Sequence, residues 1–239
     1  MKKHLIILIA LICFTTYSHL TFAQSDYTVK GKIANWPTDT VYLLRQGSNP
    51  HTDYVLTKDG SFEFKGSVNE PTVAYLITKK RKGVGKVIYL EPGEIQISGD
   101  FNKFKELKIL GSPTYNEYEI VKTFHDSTLA KVNENIALQT VAENQEELEK
   151  LYVSMDSITK LDTEFILDFV KKHPNSVVSL GEINLLNVTL ENSVLRELFN
   201  GLSEKVRSSE QGKKLEANLE FMGSDKVVNE PSEENQINF

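Results

Sequence analysis

The side chains best suited to chemistry stand far apart in this sequence. Past residue 23 the histidines are His51, His125 and His173, with no His-X-X-X-His or Glu-X-X-His spacing among them. Zinc and iron sites are commonly built on such pairs, because one helical turn then brings both ligands to the same ion. The single cysteine, Cys13, lies in the apolar N-terminal stretch, so the rest of the chain has no thiolate to serve as nucleophile, redox centre or metal ligand. No Gly-X-Ser-X-Gly elbow occurs, and the Gly–Ser neighbours around 47, 60, 66, 111 and 223 sit where turns are expected.

Lys79 to Lys86, "KKRKGVGK", comes nearest to a phosphate loop. A P-loop needs four residues between its glycines and a Ser or Thr after its lysine, and this stretch has neither. It reads as a solvated hairpin loop, with a polyanion site as the rival reading. Glu91, Glu94 and Asp100 gather around a Pro-Gly turn. Converging carboxylates can share a proton or hold calcium. Strung along strands, as here, they read as a charged edge that deters aggregation. Asn187-Val188-Thr189 matches the glycosylation sequon, a pattern too short to carry weight. We assign no catalytic residue, no cofactor-binding residue and no metal ligand, and expect no cofactor.

The elements that would position any site follow an N-terminal leader. Lys2 and Lys3 precede an apolar run from Leu5 to Phe14, and Thr21-Phe22-Ala23 supplies small residues for signal-peptidase cleavage before Gln24. A run of roughly 10 apolar residues is too short to cross a bilayer, which takes about 20. Ile12 stands where a lipobox requires a small residue, so lipidation of Cys13 is not expected. The pattern predicts an exported, periplasmic protein with residues 1–23 removed and no later transmembrane segment. The chain carries 33 acidic against 27 basic residues, and losing Lys2 and Lys3 makes it more acidic still. That balance argues against nucleic acid, whose binding depends on neutralising phosphates, and against anionic membrane surfaces.

Residues 26–111 read as β throughout, in short runs rich in Val, Ile, Tyr and Phe: "YTVKGKI", "TVYLLR", "DYVLT", "SFEFKG", "TVAYLITK", "KVIYLE", "EIQISGD" and "LKIL". Asp59-Gly60 predicts a tight hairpin, and Glu91-Pro92-Gly93-Glu94 a turn with positive φ at Gly93. Strands this short and numerous predict an antiparallel β-sandwich. At Ser112-Pro113 the period changes to that of helices. Tyr118, Val121, Phe124, Leu129, Val132 and Ile136 line one long helix. Leu148, Leu151, Met155, Ile158, Leu161, Phe165 and Phe169 line a second, from about Gln145 to Lys172, which pairs with the first as a hairpin. Shorter helices are expected over 176–188, 191–202 and 208–222, with Asn192, Ser193 and Ser203 as capping residues. The fold class is α+β: an antiparallel β-sandwich domain (24–111), a helical domain (112–222) and a disordered tail (223–239).

The segments "VKGKI", "TVYLL", "GSFEFKG", "PTVAYLI", "VIYLEPGEIQISGD" and "ILGSPTYNEYE", in that order, resemble the N-terminal domain of unknown function of exported Bacteroidetes-type proteins. There it precedes a thioredoxin-like domain of the TlpA/ResA disulfide oxidoreductase type. The block from "EFILDFVKKHPNSVVSL" to "SEKVRSSEQGKKLEANLE" is similar to the helical connector of those proteins, so the resemblance spans roughly residues 27 to 220. It places a Trp-Cys-X-X-Cys domain just after Met222, where this chain reads "GSDKVVNEPSEENQINF". None of that family's catalytic residues therefore has a matching position. The expectation is a non-catalytic exported module that binds a partner protein or ligand, with a thioredoxin-fold protein or a second copy of the chain as partner. The alternative is an accessory or truncated part of a thioredoxin-like thiol-disulfide system.

Overall fold

The computed structural model describes residues 25–47, 50–78 and 85–228. The leader, residues 79–84 of the basic loop and the last residues of the expected tail lie outside them. Eight strands come first: β1 (Ser25–Ala34), β2 (Thr40–Arg45), β3 (His51–Leu56), β4 (Ser61–Val68), β5 (Thr72–Thr78), β6 (Lys86–Leu90), β7 (Gly93–Asp100) and β8 (Lys108–Leu110). They form two four-stranded sheets, ordered β4-β1-β7-β8 (sheet A) and β3-β2-β5-β6 (sheet B). Alternation along each strand points one set of side chains between the sheets. Val29, Ile33, Phe64, Ile95 and Ile97 come from sheet A, and Val41, Leu43, Ala74, Leu76, Ile88 and Leu90 from sheet B; all are buried.

One pairing departs from the antiparallel expectation, because β1 and β7 run parallel, with Val29 opposite Ile95. The chain passes through sheet B before and after β4, so β7 reaches the free side of β1 by a crossover rather than a hairpin. The other strand pairs are antiparallel. Asp59 and Gly60 form the expected two-residue turn, both at positive φ (51° and 70°), as a primed hairpin turn requires. The turn docks on β1, with the Ile33 amide donating to the Gly60 carbonyl at 2.9 Å. A Cβ at Gly60 would lie 2.0 Å from the Ile33 oxygen. Gly31 is needed for a different reason: the ring of its cross-strand partner Phe62 occupies the space a side chain would fill.

Helix α1 (Pro113–Val141) starts as expected, with Ser112 as N-cap accepting from the Tyr115 amide at 3.1 Å. It folds back onto α2 (Gln145–Lys172), whose N-cap is Asn144. α1 docks through Val121, Phe124, His125, Thr128, Val132, Asn135 and Gln139, with the Phe124 ring stacked on Phe165 of α2 at 3.7 Å between centroids, while Leu129 and Ile136 stay 57% and 49% exposed. Of the expected row, Tyr118, Val121, Phe124 and Val132 do pack against the body or α2, and only Leu129 and Ile136 give way, to their neighbours Thr128 and Asn135. Val121 and His125 are anchored against the body, and helical spacing carries their row outward. On α2 Leu161 likewise faces solvent, and its neighbour Asp162 turns toward His125.

Four further helices close the body: α3 (Val177–Leu185), α4 (Asn192–Asn200), α5 (Glu204–Arg207) and α6 (Glu210–Val228). Leu180, Ile183, Leu195, Phe199, Leu215 and Leu219 make a second core with Ile166 and Val170 of α2. Of the expected capping residues, Asn192 instead donates to the Leu219 carbonyl (2.9 Å). Ser203 is an N-cap with no side-chain bond. α6 runs on through Gly223, where a disordered tail was expected to begin, to Val228. Among the described residues no helix is long and apolar enough to cross a membrane.

Candidate functional site

The polar side chains singled out in the sequence come to rest in separate places. Glu91 is buried and caps α1: its carboxylate accepts from the Ser112 hydroxyl, the Thr114 amide (3.0 Å) and the Thr114 hydroxyl (2.9 Å). A helix N-terminus offers unpaired N–H groups and a partial positive charge, so a carboxylate suits it. Glu94 is exposed and paired with Lys30, whose hydrogen bond holds its pKa below the usual carboxylate range. Asp100 accepts from the Asn102 amide (2.8 Å) and the Asn35 side chain (2.7 Å), and the amide bond lowers its pKa. The three acids do not form one edge or one site.

Two histidines act as clamps between helices. His125 on α1 sits 3.2 Å from Asp162 on α2 through Nδ1 and 3.0 Å from Glu182 on α3 through Nε2. Acceptors at both ring nitrogens favour the imidazolium, which donates from both, and the Glu182 bond is the main cause of its raised pKa. His173 stacks on Phe169 with ring centroids 4.3 Å apart, and its Nδ1 lies 3.2 Å from Glu117. The Ser176 hydroxyl donates to that same Glu117. A serine bonded to a carboxylate rather than to the imidazole is a helix cap, not an activated nucleophile. His51 pairs only locally, 3.0 Å from exposed Asp53. Among the described residues no His, Cys, Asp and Glu cluster is arranged to hold a metal.

Lys86, at the end of the basic loop, turns inward. Its ammonium donates to the Lys105 carbonyl (3.2 Å) and lies 5.6 Å from the Tyr115 ring centroid and 4.0 Å from Glu119. Burial lowers its pKa, opposed by Glu119. Burial likewise raises the pKa of Tyr89 and of Tyr115, whose hydroxyl donates to Glu119. Two larger depressions exist. One, of about 510 Å³, is a trough on the outside of sheet A in which Lys30 is tied to Glu94 and Lys32 to Ser61. The other, about 340 Å³, lies where the sandwich meets α6, lined by Arg45, Glu70, Glu210 and Lys214. Glu70 there accepts from the Glu210 amide at 3.2 Å, and Glu210 pairs with Lys214 at 3.1 Å.

The most distinctive surface is the outside of sheet B. Register puts Tyr42, Leu44, Tyr54, Leu56, Val73, Tyr75, Ile77, Val87 and Tyr89 on one face, with Thr40 and Thr52. At the β6 side α1 covers it, Tyr118 meeting Tyr89 at 5.6 Å between centroids. At the β3 side it is open, with Tyr54 72% and Leu56 68% exposed. The matching face of sheet A shows Lys30, Lys32, Glu63, Lys65, Glu94 and Gln96, all exposed. Sequence reading missed this asymmetry, although "TVYLLR" and "TVAYLIT" carry its signal: both are apolar at odd and even positions alike.

Residues 27–118 match the family model of a domain of unknown function, DUF4369. The matched DUF4369 segment runs from β1 through the first turns of α1 and ends on Tyr118, the residue that lies against Tyr89. It therefore includes both sheets, the Glu91 cap and the whole tyrosine face. No curated protein and no solved structure matches the chain.

Proposed function

We propose that this chain is an exported, non-catalytic binding module whose partner protein docks on the outer face of sheet B. The carrying observation is the contrast between the two sheets, one turned outward in Lys, Glu, Gln and Ser, the other in Tyr, Leu, Ile and Val. A contiguous apolar patch is costly to leave in water, and tyrosine-rich patches are typical of interface cores. β3 adds a second reason: among the described residues it pairs only with β2, and its edge contains neither proline nor lysine, Asp53 on its inward face being its one acidic residue. An extended segment of the partner can add to that edge while its side chains reach Tyr54 and Leu56. Export is supported by Lys2, Lys3, the apolar run after them and Thr21-Phe22-Ala23.

The partner class we place first is a thioredoxin-fold oxidoreductase acting in trans, supported by the order of segments from "VKGKI" to "ILGSPTYNEYE". The test installs a photo-crosslinking residue at Tyr54 and, as control, at Lys32 on sheet A, in cells that export the chain. A discrete adduct with a thioredoxin-fold protein at position 54, absent at 32 and lost with Leu56→Glu, is the expected result. Equal adducts at both positions, or none at 54, would remove the proposed surface. An adduct at 54 with a protein of another fold would keep the surface and discard the redox partner. Turnover of any substrate, abolished by a point change in this chain, would overturn the non-catalytic reading.

A further inference from the structure

α1 and α2 contain 29 and 28 residues, so each extends about 42 Å at 1.5 Å per residue. Only the half of the hairpin near the body is covered. From Asp126 on α1 round to Leu161 on α2, Asn135 is the one buried residue. Its side-chain amide donates to the Leu151 carbonyl (3.0 Å) and its oxygen accepts from Gln139 (2.6 Å). The protruding half thus has a narrow and partly polar seam, with Thr128, Val132, Asn135 and Gln139 set against Leu148, Leu151, Met155 and Ile158. Two helices joined this way leave much of the α2 stripe half-exposed.

The residues flanking that seam differ on its two sides. Heptad spacing places Leu129 and Ile136 of α1 on one flank, with Tyr152 and Thr159 of α2. The Asn135–Leu151 hydrogen bond sets the register and brings Ile136 level with Tyr152, and Leu129 with Thr159. Leu129, Ile136 and Tyr152 are 57%, 49% and 53% exposed. Flanking positions of a solvated hairpin ordinarily carry Glu and Lys, whereas over the protruding half this flank carries no charge, the next position toward the body being Lys122. The opposite flank is mixed: Lys131, Leu138, Glu147, Ser154 and Leu161.

We infer that the uncharged flank is a self-association surface, its occupant the same flank of a second copy of this chain. An isologous contact needs a patch complementary to itself, and an uncharged stripe of Leu, Ile and Tyr meets that condition. Pairing two hairpins gives a four-helix arrangement, which covers the outward sides of Val132, Leu151, Met155 and Ile158 as well. The protruding half is about 24 Å long and two helices, about 20 Å, wide. Each copy then buries roughly 500 Å², or about 1,000 Å² in all, the lower bound for a specific interface. Asp126, Glu149 and Asp156 border the flank, Asp126 being paired with Lys122. A dimer therefore brings like charges together at its rim. Added salt should tighten it by screening, whereas salt would weaken docking of a basic partner on the same surface.

Sedimentation equilibrium of the chain recovered from an exporting host tests this at about 50 and about 500 mM salt. The expected result is a monomer–dimer equilibrium that tightens with salt. Leu129→Glu and Ile136→Glu should each weaken it about tenfold or more, a like-charge pair being costly in a buried contact. Leu138→Glu, on the other flank, should shift it less than about twofold. All three positions are exposed, so circular dichroism should show unchanged helix content. A monomer under both conditions, equal loss with Leu138→Glu, or association that salt weakens would overturn the inference. Leu56→Glu on sheet B should leave dimerisation unchanged, so this result stands apart from the partner proposed for that face.

Discussion

Sheet A and sheet B share one core and differ in what they turn away from it. The inner faces are interchangeable in kind, Val29, Phe64 and Ile95 meeting Val41, Leu76 and Ile88. The outer faces are opposites: lysines, glutamates and an amide on sheet A, with Lys30 paired across strands to Glu94, and tyrosines and aliphatics on sheet B. Sheet B's outer face is also divided within itself, closed by α1 at β6 and open at β3. Burial between the sheets accounts for folding, and it would be served equally by a polar exterior on both. The β6 side of sheet B's apolar exterior is used in packing α1, whereas the β3 side, with Tyr54 and Leu56 exposed, is covered by none of the described residues.

That comparison can be broken from the inside out. Leu76→Ala removes a fully buried side chain opposite Leu43 and should cost about 2–5 kcal/mol in urea unfolding. A loss well under that range would mean the two sheets do not share a tight core. Gly60→Val forces a branched residue into a positive-φ turn whose Cβ would strike the Ile33 oxygen, at a cost of roughly 1–3 kcal/mol. If stability is unchanged, the β3–β4 turn does not hold sheet B against β1 as described.

The next test bears on the closed side. The carboxylates of Glu182 and Asp162 raise the pKa of His125 above its unfolded value, which is about 6.5. The clamp's stabilisation is then complete below about 6.5 and fades as pH climbs through the raised folded value. His125→Gln should fall furthest below the wild type in mildly acidic buffer and converge with it under alkaline conditions. A gap that widens with pH would show that the imidazolium is not the stabilising form. The smallest effects belong to the outer faces. Lys32→Ala on sheet A and Tyr54→Ser on sheet B should each change unfolding by less than about 0.5 kcal/mol. If Tyr54→Ser destabilises the free chain strongly, the open face is structural and not a docking surface.

Much of the fold was legible because it depends on neighbours in sequence. Phe62 and Phe64 alternating with Ser61, Glu63 and Lys65 announce a half-buried strand. Asp59-Gly60 announces its turn, and Ser112-Pro113 the start of α1. Glu91 shows where such reading ends. Beside Glu94 at a Pro-Gly turn it looks like one more surface acid, yet its partners Ser112 and Thr114 lie more than twenty residues on. The clamps are alike in this, since nothing near His125 in sequence points to Glu182.

The sequence by itself determined the order of strands and helices, the main turns, the Ser112 cap of α1 and the leader pattern, because each rests on local spacing or on the φ preferences of Gly and Pro. It also determined that the chain past residue 23 has no cysteine chemistry. Only the tertiary structure decided that β1 and β7 run parallel, that Glu91 is a cap, which row of α1 meets α2, and that sheet B keeps an apolar face open at β3. Those outcomes depend on which distant surfaces exclude water together. A hydrophobic pattern shows that a face will seek cover, but what covers it is settled by the rest of the chain.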